Sequence, residues 1–487
     1  MSPYYQKFHT LSTPPNSTHE HLGLDYVDQK IHGYRGPIQA SFAGTSQDAL
    51  SNAWYKTFQS LGYEGKGDPF SGEFVGGYNS PATIDPVSKE RSYSAVAYYQ
   101  PIKNRSNLTL LTGALVDKIE LEATERTGLF TATAVRLIHN GEPKIVRAHK
   151  EVIVAAGTFN SPKLLELSGI GSATLLRSHD IPLLIDSPGV GENLQDHLMT
   201  GFSFEVNNGV NTIDDLARKD PVAIQMALQQ YMESKSGPFT AAGVNSMAFM
   251  PLVNPLSDDN MEATKICLDK NIADAKSSIH YDFIRSILEN ANEGSASFFT
   301  YPAGGNFEIG GGSDVENATK AVLDGNYITI GVCLLHPLSR GSVHIGSGDP
   351  AQKPKIDPKY LTQELDVEVF ARHVQSLRKL VKTQPLASLL KVDGRRNSPD
   401  VDLTDLEAVK QYARSTAISN WHPVGTCAMM PREKGGVVDE KLIVHGTANL
   451  RVVDASIFPM ITRGNPLTSV YAVAEKAADL IKKGDNS

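Results

Sequence analysis

Two short, largely apolar runs lie far apart in the chain, and each ends in a turn of small or polar residues. One covers residues 152–156 and ends at Gly157, and the other covers residues 450–453 and ends at Asp454. A continuous apolar run is typical of a strand that is buried on both faces of a layered α/β sheet. Such sheets bind cofactors at the carboxyl ends of their strands. We therefore predict that both strands lie in one cofactor-binding domain.

The composition disfavours several classes of function. The chain has 487 residues and a net charge of −8, which gives no basic face for nucleic acid and argues against an anionic membrane surface. No apolar run reaches the ~18 residues of a membrane-spanning helix, and no leader is visible, so the sequence as written predicts a cytoplasmic protein. Cys267, Cys333 and Cys427 lack metal-ligand spacing, so we expect neither a zinc site nor a disulfide framework.

The turn after the first run leads into a predicted helix. Ser161 is suited to cap that helix, Pro162 fits its first turn, and Gly169 suits its C-terminal exit. Strand, tight turn and helix would together place backbone N–H groups at the edge of a sheet. On these residues alone, a generic strand–turn–helix unit explains the segment equally well.

Other segments extend the prediction of secondary structure. Residues 107–113 and 115–121 are rich in aliphatic and β-branched residues and are predicted as strands. Residues 327–335 and 342–345 predict two antiparallel strands around a turn. The glycine cluster at 310–312 predicts a loop.

His422, between Trp421 and Pro423, is the best candidate for acid–base chemistry. A general base has to be unprotonated at the working pH and able to take a proton from the reacting group. An imidazole with an unperturbed pKa near ~6.5 accepts that proton at neutral pH. A buried structural histidine is the alternative that His-Pro alone leaves open.

A second polar residue opens the C-terminal helix. Asn465 is predicted as the N-cap, Pro466 as the first helical residue, and Leu467 begins an apolar pattern at helical spacing. The positive end of the helix would stabilise negative charge beside Asn465. An asparagine cannot act as a base, so of His422 and Asn465 only His422 could be one.

The stretch at 189–197 contains a Gly-x-Gly pair and ends in Asp196-His197. A phosphate-binding loop is rejected, since no GxGxxG follows a strand there. His197 is more simply explained as a hydrogen-bonded structural histidine than as a group in direct chemistry.

Taken together, the segments at 157–171, 189–197, 420–429 and 462–469 resemble the glucose-methanol-choline (GMC) oxidoreductases, which oxidise alcohols with bound FAD. The resemblance implies an α/β, FAD-binding Rossmann-like fold interlocked with a substrate domain of antiparallel sheet plus helices. It implies that His422 and Asn465 form the catalytic pair. At the position of Asn465, many relatives carry a second histidine. It assigns cofactor contacts to Val116, Ala156, Gly157, Trp421, Asp454, Ala455, Asn465, Pro466 and Leu467.

The resemblance also implies how the chain is divided. Residues 1–101 would form an N-terminal segment, 102–200 and 420–487 the FAD-binding part, and 201–419 the substrate domain. The substrate would be a small alcohol, and Phe239 and Phe249 suggest an apolar or aromatic one.

One expected part of such an enzyme is missing from the sequence. GMC proteins begin with a strand–GxGxxG–helix unit, and this chain contains none, so the fold is expected to be N-terminally incomplete and to bind FAD weakly or not at all. Two explanations stay open. Either the sequence is a fragment of an active FAD enzyme, which could then be secreted, or it is a non-redox relative such as a binding protein or a lyase-type or cyclase-type cousin.

Overall fold

The computed structural model describes residues 1–43, 48–63, 65, 67–124, 128–252, 279–305, 307 and 324–484. Cys267 and the predicted loop at 310–312 lie outside these residues. In the described ranges, no helix is both long and apolar enough to span a bilayer. No group of three His, Cys, Asp or Glu side chains in those ranges is arranged to hold a metal ion.

The described α-helices are α1 Ser2–Lys7, α2 Asn16–Leu22, α3 Ala49–Ser60, α4 Gly157–Leu167, α5 Ala173–Ser178, α6 Asp214–Ala217, α7 Pro221–Ser234, α8 Ile279–Leu288, α9 Glu364–Leu380, α10 Leu406–Thr416 and α11 Leu467–Gly484. The strands are β1 His9–Ser12, β2 Ile38–Phe42, β3 Gly76–Asn79, β4 Pro81–Ala82, β5 Ala114–Thr124, β6 Leu129–His139, β7 Glu142–Arg147, β8 Val152–Val154, β9 Ile170–Gly171, β10 Ile185–Asp186, β11 Leu198–Glu205, β12 Ser246–Met250, β13 Ala296–Tyr301, β14 Tyr327–Leu334, β15 Ser342–His344, β16 Lys355–Asp357, β17 Ile418–Ser419 and β18 Leu450–Val452.

The largest sheet is antiparallel, with the order β17-β11-β14-β13-β12-β3. Every residue of β14 is buried, since sheet neighbours and helices cover it. Helices α3, α8, α9 and α10 supply the rest of this core, with Trp54, Phe58 and Phe370 among its largest fully buried side chains. This part confirms the predicted antiparallel sheet with covering helices.

A second core surrounds a parallel pair of strands. β8 and β18 pair directly, with Leu450 opposite Val152, so the two apolar runs lie side by side as predicted. Helix α4 follows β8 and, with α11, packs on this pair. The prediction of burial on both faces is wrong for β8: Ile153 is 44% exposed, because in the described residues the pair is covered on one face only.

Two predictions of strands need correction. Residues 107–113 form no strand, and Leu110 is exposed, since aliphatic content alone does not supply a pairing partner. The strands predicted at 327–335 and 342–345 exist as β14 and β15 but do not pair with each other. β14 pairs with β11 and β13, while β15 pairs with β16.

The sheets connect segments from distant parts of the sequence. β3 comes from residues before 101, and β11 crosses residue 200. A three-stranded sheet, β1-β2-β4, and another, β5-β6-β7, complete the main layers. The fold is therefore mixed α/β as predicted, while the division at 101, 200 and 419 stays a prediction.

Candidate active site

The loop at 193–197 is joined to the segment that carries His422 by backbone hydrogen bonds. The Gln195 N–H donates to the Val424 carbonyl at 3.0 Å, and the Val424 N–H returns the bond to Gln195 at 2.9 Å. The Asn420 N–H donates to the carbonyl of His197 at 2.8 Å. These bonds fix the backbone on both sides of His422.

Asp196 organises the same loop through its buried carboxylate. It accepts hydrogen bonds from the His422 N–H at 3.0 Å, the Ser419 hydroxyl at 2.5 Å and the Tyr360 hydroxyl at 2.6 Å. Burial raises the pKa of Asp196, and the three donors oppose that rise. The carboxylate thus holds the backbone of His422 in place.

Trp421 takes a backbone conformation that few residues other than glycine adopt. Its φ is +54°, and its N–H donates to the Ser419 hydroxyl at 2.9 Å. Local strain of this kind costs on the order of 1–3 kcal/mol and is common at functional sites. The indole is 57% exposed and lies at the surface.

The ring of His422 lies against a second histidine. Its Nδ1 is 3.0 Å from Nδ1 of His197, whose Nε2 is 3.0 Å from the carbonyl oxygen of Leu335. The rings are nearly perpendicular, at 82°. Burial lowers the pKa of His422 to about 4, and burial followed by the nearby His422 lowers the pKa of His197 well below its usual range. Both imidazoles are therefore neutral at physiological pH.

A cavity of about 420 Å³ lies beside this histidine pair. His422 is not one of the residues that line it. Asn420 lines it and places its Nδ2 3.4 Å from Nδ1 of His422. Phe249 is in the lining as expected, whereas Phe239 is not, because it lies 44% exposed on a surface turn after α7. Six aromatic side chains are among the lining residues: Phe8, Tyr26, Phe70, Tyr78, Phe249 and Phe299.

The start of α11 lines the cavity with Asn465 and Leu467. The helix begins at Leu467, one residue later than predicted, so Pro466 precedes the first helical residue. The Val470 N–H donates to the Pro466 carbonyl at 2.9 Å and closes the first turn. Since Asn465 is exposed, its side chain is accessible to a bound molecule.

The carboxyl ends of β8 and β18 bring together four of the predicted cofactor residues, Ala156, Gly157, Asp454 and Ala455. The Asp454 carboxylate accepts from the Gly157 N–H at 2.9 Å and from the Ser161 hydroxyl at 2.5 Å. The prediction that Ser161 caps α4 is wrong. The helix already begins at Gly157, and the hydroxyl of Ser161 accepts from the Ala156 N–H.

This strand edge fits a dinucleotide. Gly157 has a φ of +80°, and a Cβ at this position would meet no atom within 4 Å. Ala155 and Ala156 are exposed, so a ring or chain can approach the backbone closely. Val116 lies on β5, which packs on α4. Of the other predicted contacts, Ala455 follows β18, and Pro466 and Leu467 stand at the start of α11. Trp421 is exposed at the surface.

Sequence reasoning missed the structural roles of Asp196, Tyr360 and Asn420. The signal for Asp196 was present, since an acidic residue stands directly before His197 in a glycine-rich loop. Nothing local points to Tyr360, because its partner Asp196 is 164 positions away.

Comparisons with known proteins agree with this geometry. Residues 15–199 and 337–474 match the sequence models of the two halves of the GMC oxidoreductases. The chain is 33% identical to dehydrogenase citC of Monascus ruber, over 94% of this chain and 74% of that protein. It is also 33% identical to the GMC oxidoreductase family protein Mala s 12 of Malassezia sympodialis, over 96% of this chain and 71% of that protein.

Solved structures give the same result. An FAD-dependent oxidoreductase from Chaetomium thermophilum superposes with a TM-score of 0.83 at 26% identity, over 100% of this chain and 80% of that one. A fungal aryl-alcohol oxidase superposes with a TM-score of 0.78 at 26% identity, over 100% of this chain and 79% of that one.

Proposed function

Because this chain belongs to the GMC oxidoreductase family, we propose that it is an FAD-dependent enzyme that oxidises an apolar or aromatic alcohol, with His422 as the base. Its structural relatives include an FAD-dependent oxidoreductase and an aryl-alcohol oxidase. When bound, FAD supplies the hydride acceptor. The chain itself has to bind and orient the alcohol, exclude water and take the proton.

The observation that carries the proposal is the state of His422. The imidazole is neutral at physiological pH, its backbone is fixed by Asp196, and the nearby residue Asn420 lines the cavity. A neutral imidazole nitrogen can accept the hydroxyl proton of an alcohol that reaches it from the cavity.

Asn465 is proposed to orient the alcohol oxygen. It lines the cavity at the start of an 18-residue helix, α11, whose positive end favours negative charge nearby. Pro466 and Leu467 would then lie beside the cofactor, as would Trp421, and Ala156, Gly157, Asp454, Ala455 and Val116 would support its binding at the strand edge.

The substrate class follows from the cavity wall. Phe249 and Phe299 line it, Tyr78 makes a tilted ring contact with Phe249 at 5.5 Å between centroids, and Arg463 is the cation in the lining. The guanidinium of Arg463 forms an ion pair with Glu293. The carboxylate of Asp68, which also lines the cavity, lies 2.8 Å from Nε2 of His32, so both charged groups in the lining have partners, and the aromatic rings favour an apolar or aromatic alcohol over a charged one.

The test is anaerobic stopped-flow reduction by a panel of benzylic and aliphatic alcohols, on protein to which the expected GxGxxG segment has been restored so that flavin is bound. Loss of a general base typically costs ~10²–10⁴-fold, so His422→Ala should slow reduction on that scale while flavin stays bound. His445→Ala is the matched control, since its ring bonds only the Met430 carbonyl in the described structure. Reduction at the parent rate in His422→Ala would show that the histidine is structural.

Asn465→Ala should have a smaller effect. It removes a hydrogen bond rather than the proton acceptor, which is worth about 1–3 kcal/mol when the partner carries charge. A loss larger than that of His422→Ala would reverse the two proposed roles. A protein that binds flavin but is reduced by no alcohol would favour a non-redox relative.

A further inference from the structure

We propose that His197 is a positioning residue that fixes His422 as the Nδ1–H tautomer, which leaves the lone pair on Nε2 for the substrate proton. The kinetic consequence rests on the proposed function, but the tautomer itself does not. The inference concerns a contact between two rings that are 225 positions apart in sequence.

The first step fixes the tautomer of His197. Its Nε2 lies 3.0 Å from the carbonyl oxygen of Leu335, a group that only accepts hydrogen bonds. Nε2 of His197 must therefore carry a hydrogen. The side chain is 1% exposed, and a charged imidazole is strongly disfavoured there. In the neutral ring, Nδ1 of His197 is consequently a lone pair.

The lone pair on Nδ1 of His197 in turn fixes the tautomer of His422. Its Nδ1 is 3.0 Å from Nδ1 of His197, so one of the two nitrogens must donate. Since His197 offers a lone pair, His422 donates through Nδ1–H, and its Nε2 is left as the acceptor. Within the described residues, no hydrogen bond occupies Nε2 of His422. Free histidine prefers the opposite tautomer, Nε2–H, so the constraint is needed.

Asn420 makes the competing contact. Its Nδ2 lies 3.4 Å from Nδ1 of His422 and 3.8 Å from the sulfur of Cys333. Donation by this amide would require a lone pair on Nδ1 of His422. The contact is longer than that to His197, and the assignment of amide oxygen and nitrogen can be exchanged. The shorter contact to a ring with a fixed tautomer therefore decides.

The same geometry argues against a proton relay. A proton that passed from His422 to Nδ1 of His197 would have to leave through Nε2, which faces the Leu335 carbonyl. A carbonyl oxygen does not take up that proton at physiological pH. His197 therefore acts on orientation and tautomer, and the substrate proton stays on His422.

The experiment is ¹⁵N NMR on protein labelled at histidine, carried out without flavin or substrate. The His422 signals are assigned by comparison with His422→Gln. At neutral pH we expect Nδ1 to give a protonated, pyrrole-type signal and Nε2 an unprotonated, pyridine-type signal. The opposite pattern, or exchange between both tautomers in the unaltered protein, would overturn the proposal.

Two variants then test the cause. His197→Leu removes the acceptor and should shift His422 toward the Nε2–H tautomer. His197→Asn places an amide oxygen near the position of Nδ1 and should restore the original pattern. His373→Leu is the matched control. It removes another buried histidine, whose Nε2 bonds the Ser295 hydroxyl at 2.8 Å, and should leave the His422 signals unchanged.

Kinetics separate this inference from the proposed function. In flavin-loaded protein, His197→Leu should slow flavin reduction by about 10-fold or more, and His197→Asn should recover most of the rate, as expected for a residue that sets a tautomer. If the tautomer is as proposed but no alcohol reduces the flavin, only the proposed function fails. If alcohols reduce the flavin but His422 carries Nε2–H, only the role of His197 fails.

Discussion

The carboxylate of Asp454 accepts a hydrogen bond from the backbone N–H of Gly157 at 2.9 Å, across 297 positions of sequence. The same carboxylate accepts from the hydroxyl of Ser161 and from the N–H and hydroxyl of Ser456. It therefore joins the carboxyl ends of the two parallel strands β8 and β18. This side chain, together with the bond from the Val453 N–H to the Val154 carbonyl at 2.8 Å, joins the turns that were predicted to hold the cofactor.

Asp454→Ala should destabilise the fold and weaken flavin binding together. The change leaves several hydrogen-bond donors without their acceptor. The first buried donor left unpaired lowers the free energy of unfolding by about 1–3 kcal/mol, and donors that reach water lower it by less. Urea unfolding and flavin content of the purified protein measure the two effects. Asp439→Ala is the control, since Asp439 accepts from the Lys441 and Ile443 N–H groups in a turn away from this edge. Equal losses in both variants would contradict a special role for Asp454.

The sequence predicts those parts of the site that are local in the chain. His422 and Asn465 are identified by their neighbours, and the exit of α4 at Gly169 is confirmed by its φ of +86°. The start of α4 could not be predicted in this way. Ser161 has the chemistry of an N-cap, but the remote Asp454 engages its hydroxyl, and the helix starts four residues earlier.

Contacts between distant segments are the parts that the sequence hides. The stretch at 189–197 predicts a hydrogen-bonded structural His197, yet the hydrogen bonds that Asp196 accepts come from Tyr360 and Ser419, which no local pattern connects to it. Likewise, Phe239 and Phe249 look alike in sequence. Only Phe249 lies on a strand of the large sheet and lines the cavity.

Asp196→Asn should impair both the site and the fold. An amide offers one acceptor oxygen, and its NH₂ would face donors among the His422 N–H, Ser419 and Tyr360. We expect a loss of about 1–3 kcal/mol in unfolding free energy and roughly a 10-fold slower flavin reduction. Tyr360→Phe, which removes one donor and keeps the carboxylate, should have the smaller effect on both. An unchanged reduction rate in Asp196→Asn would mean that His422 is positioned without it.

The ion pairs of His344 with Glu166 and Glu192 should be lost at alkaline pH, and the fold should lose stability with them. The Nδ1 of His344 is 2.7 Å from Glu166 and its Nε2 3.1 Å from Glu192, and these hydrogen bonds raise its pKa to about 9. Because the folded pKa exceeds the unfolded value near ~6.5, the stabilisation is complete below that value and is lost as pH rises through about 9. After a discount for solvent screening, we expect about 2 kcal/mol.

Urea unfolding between about pH 6 and pH 10 measures this loss. His344→Gln should be less stable than the parent at the acid end of this range and nearly equal to it at the alkaline end. The backbone N–H of Ile345 also donates to Glu166, so that carboxylate keeps a partner in the variant. A constant difference between parent and variant over the whole range would contradict the ion pair.

His422 predicts the acid limb of the pH profile. Burial lowers its pKa to about 4, and only the neutral ring accepts a proton, so flavin reduction should be independent of pH near neutrality and should fall as pH drops through about 4. The same shift also affects the fold. Below the unfolded pKa of ~6.5, the unfolded chain binds a proton at His422 more readily than the folded protein does, so the free energy of unfolding falls.

Rapid pH jumps in the stopped-flow instrument separate the effect of pH on the rate of flavin reduction from acid unfolding. In His422→Gln the alcohol should reduce the flavin slowly, and the rate should not fall as pH drops through about 4. A half-maximal rate near pH ~6.5 in the parent would mean that His422 is as hydrated as a free imidazole, and its burial would then have no part in the chemistry.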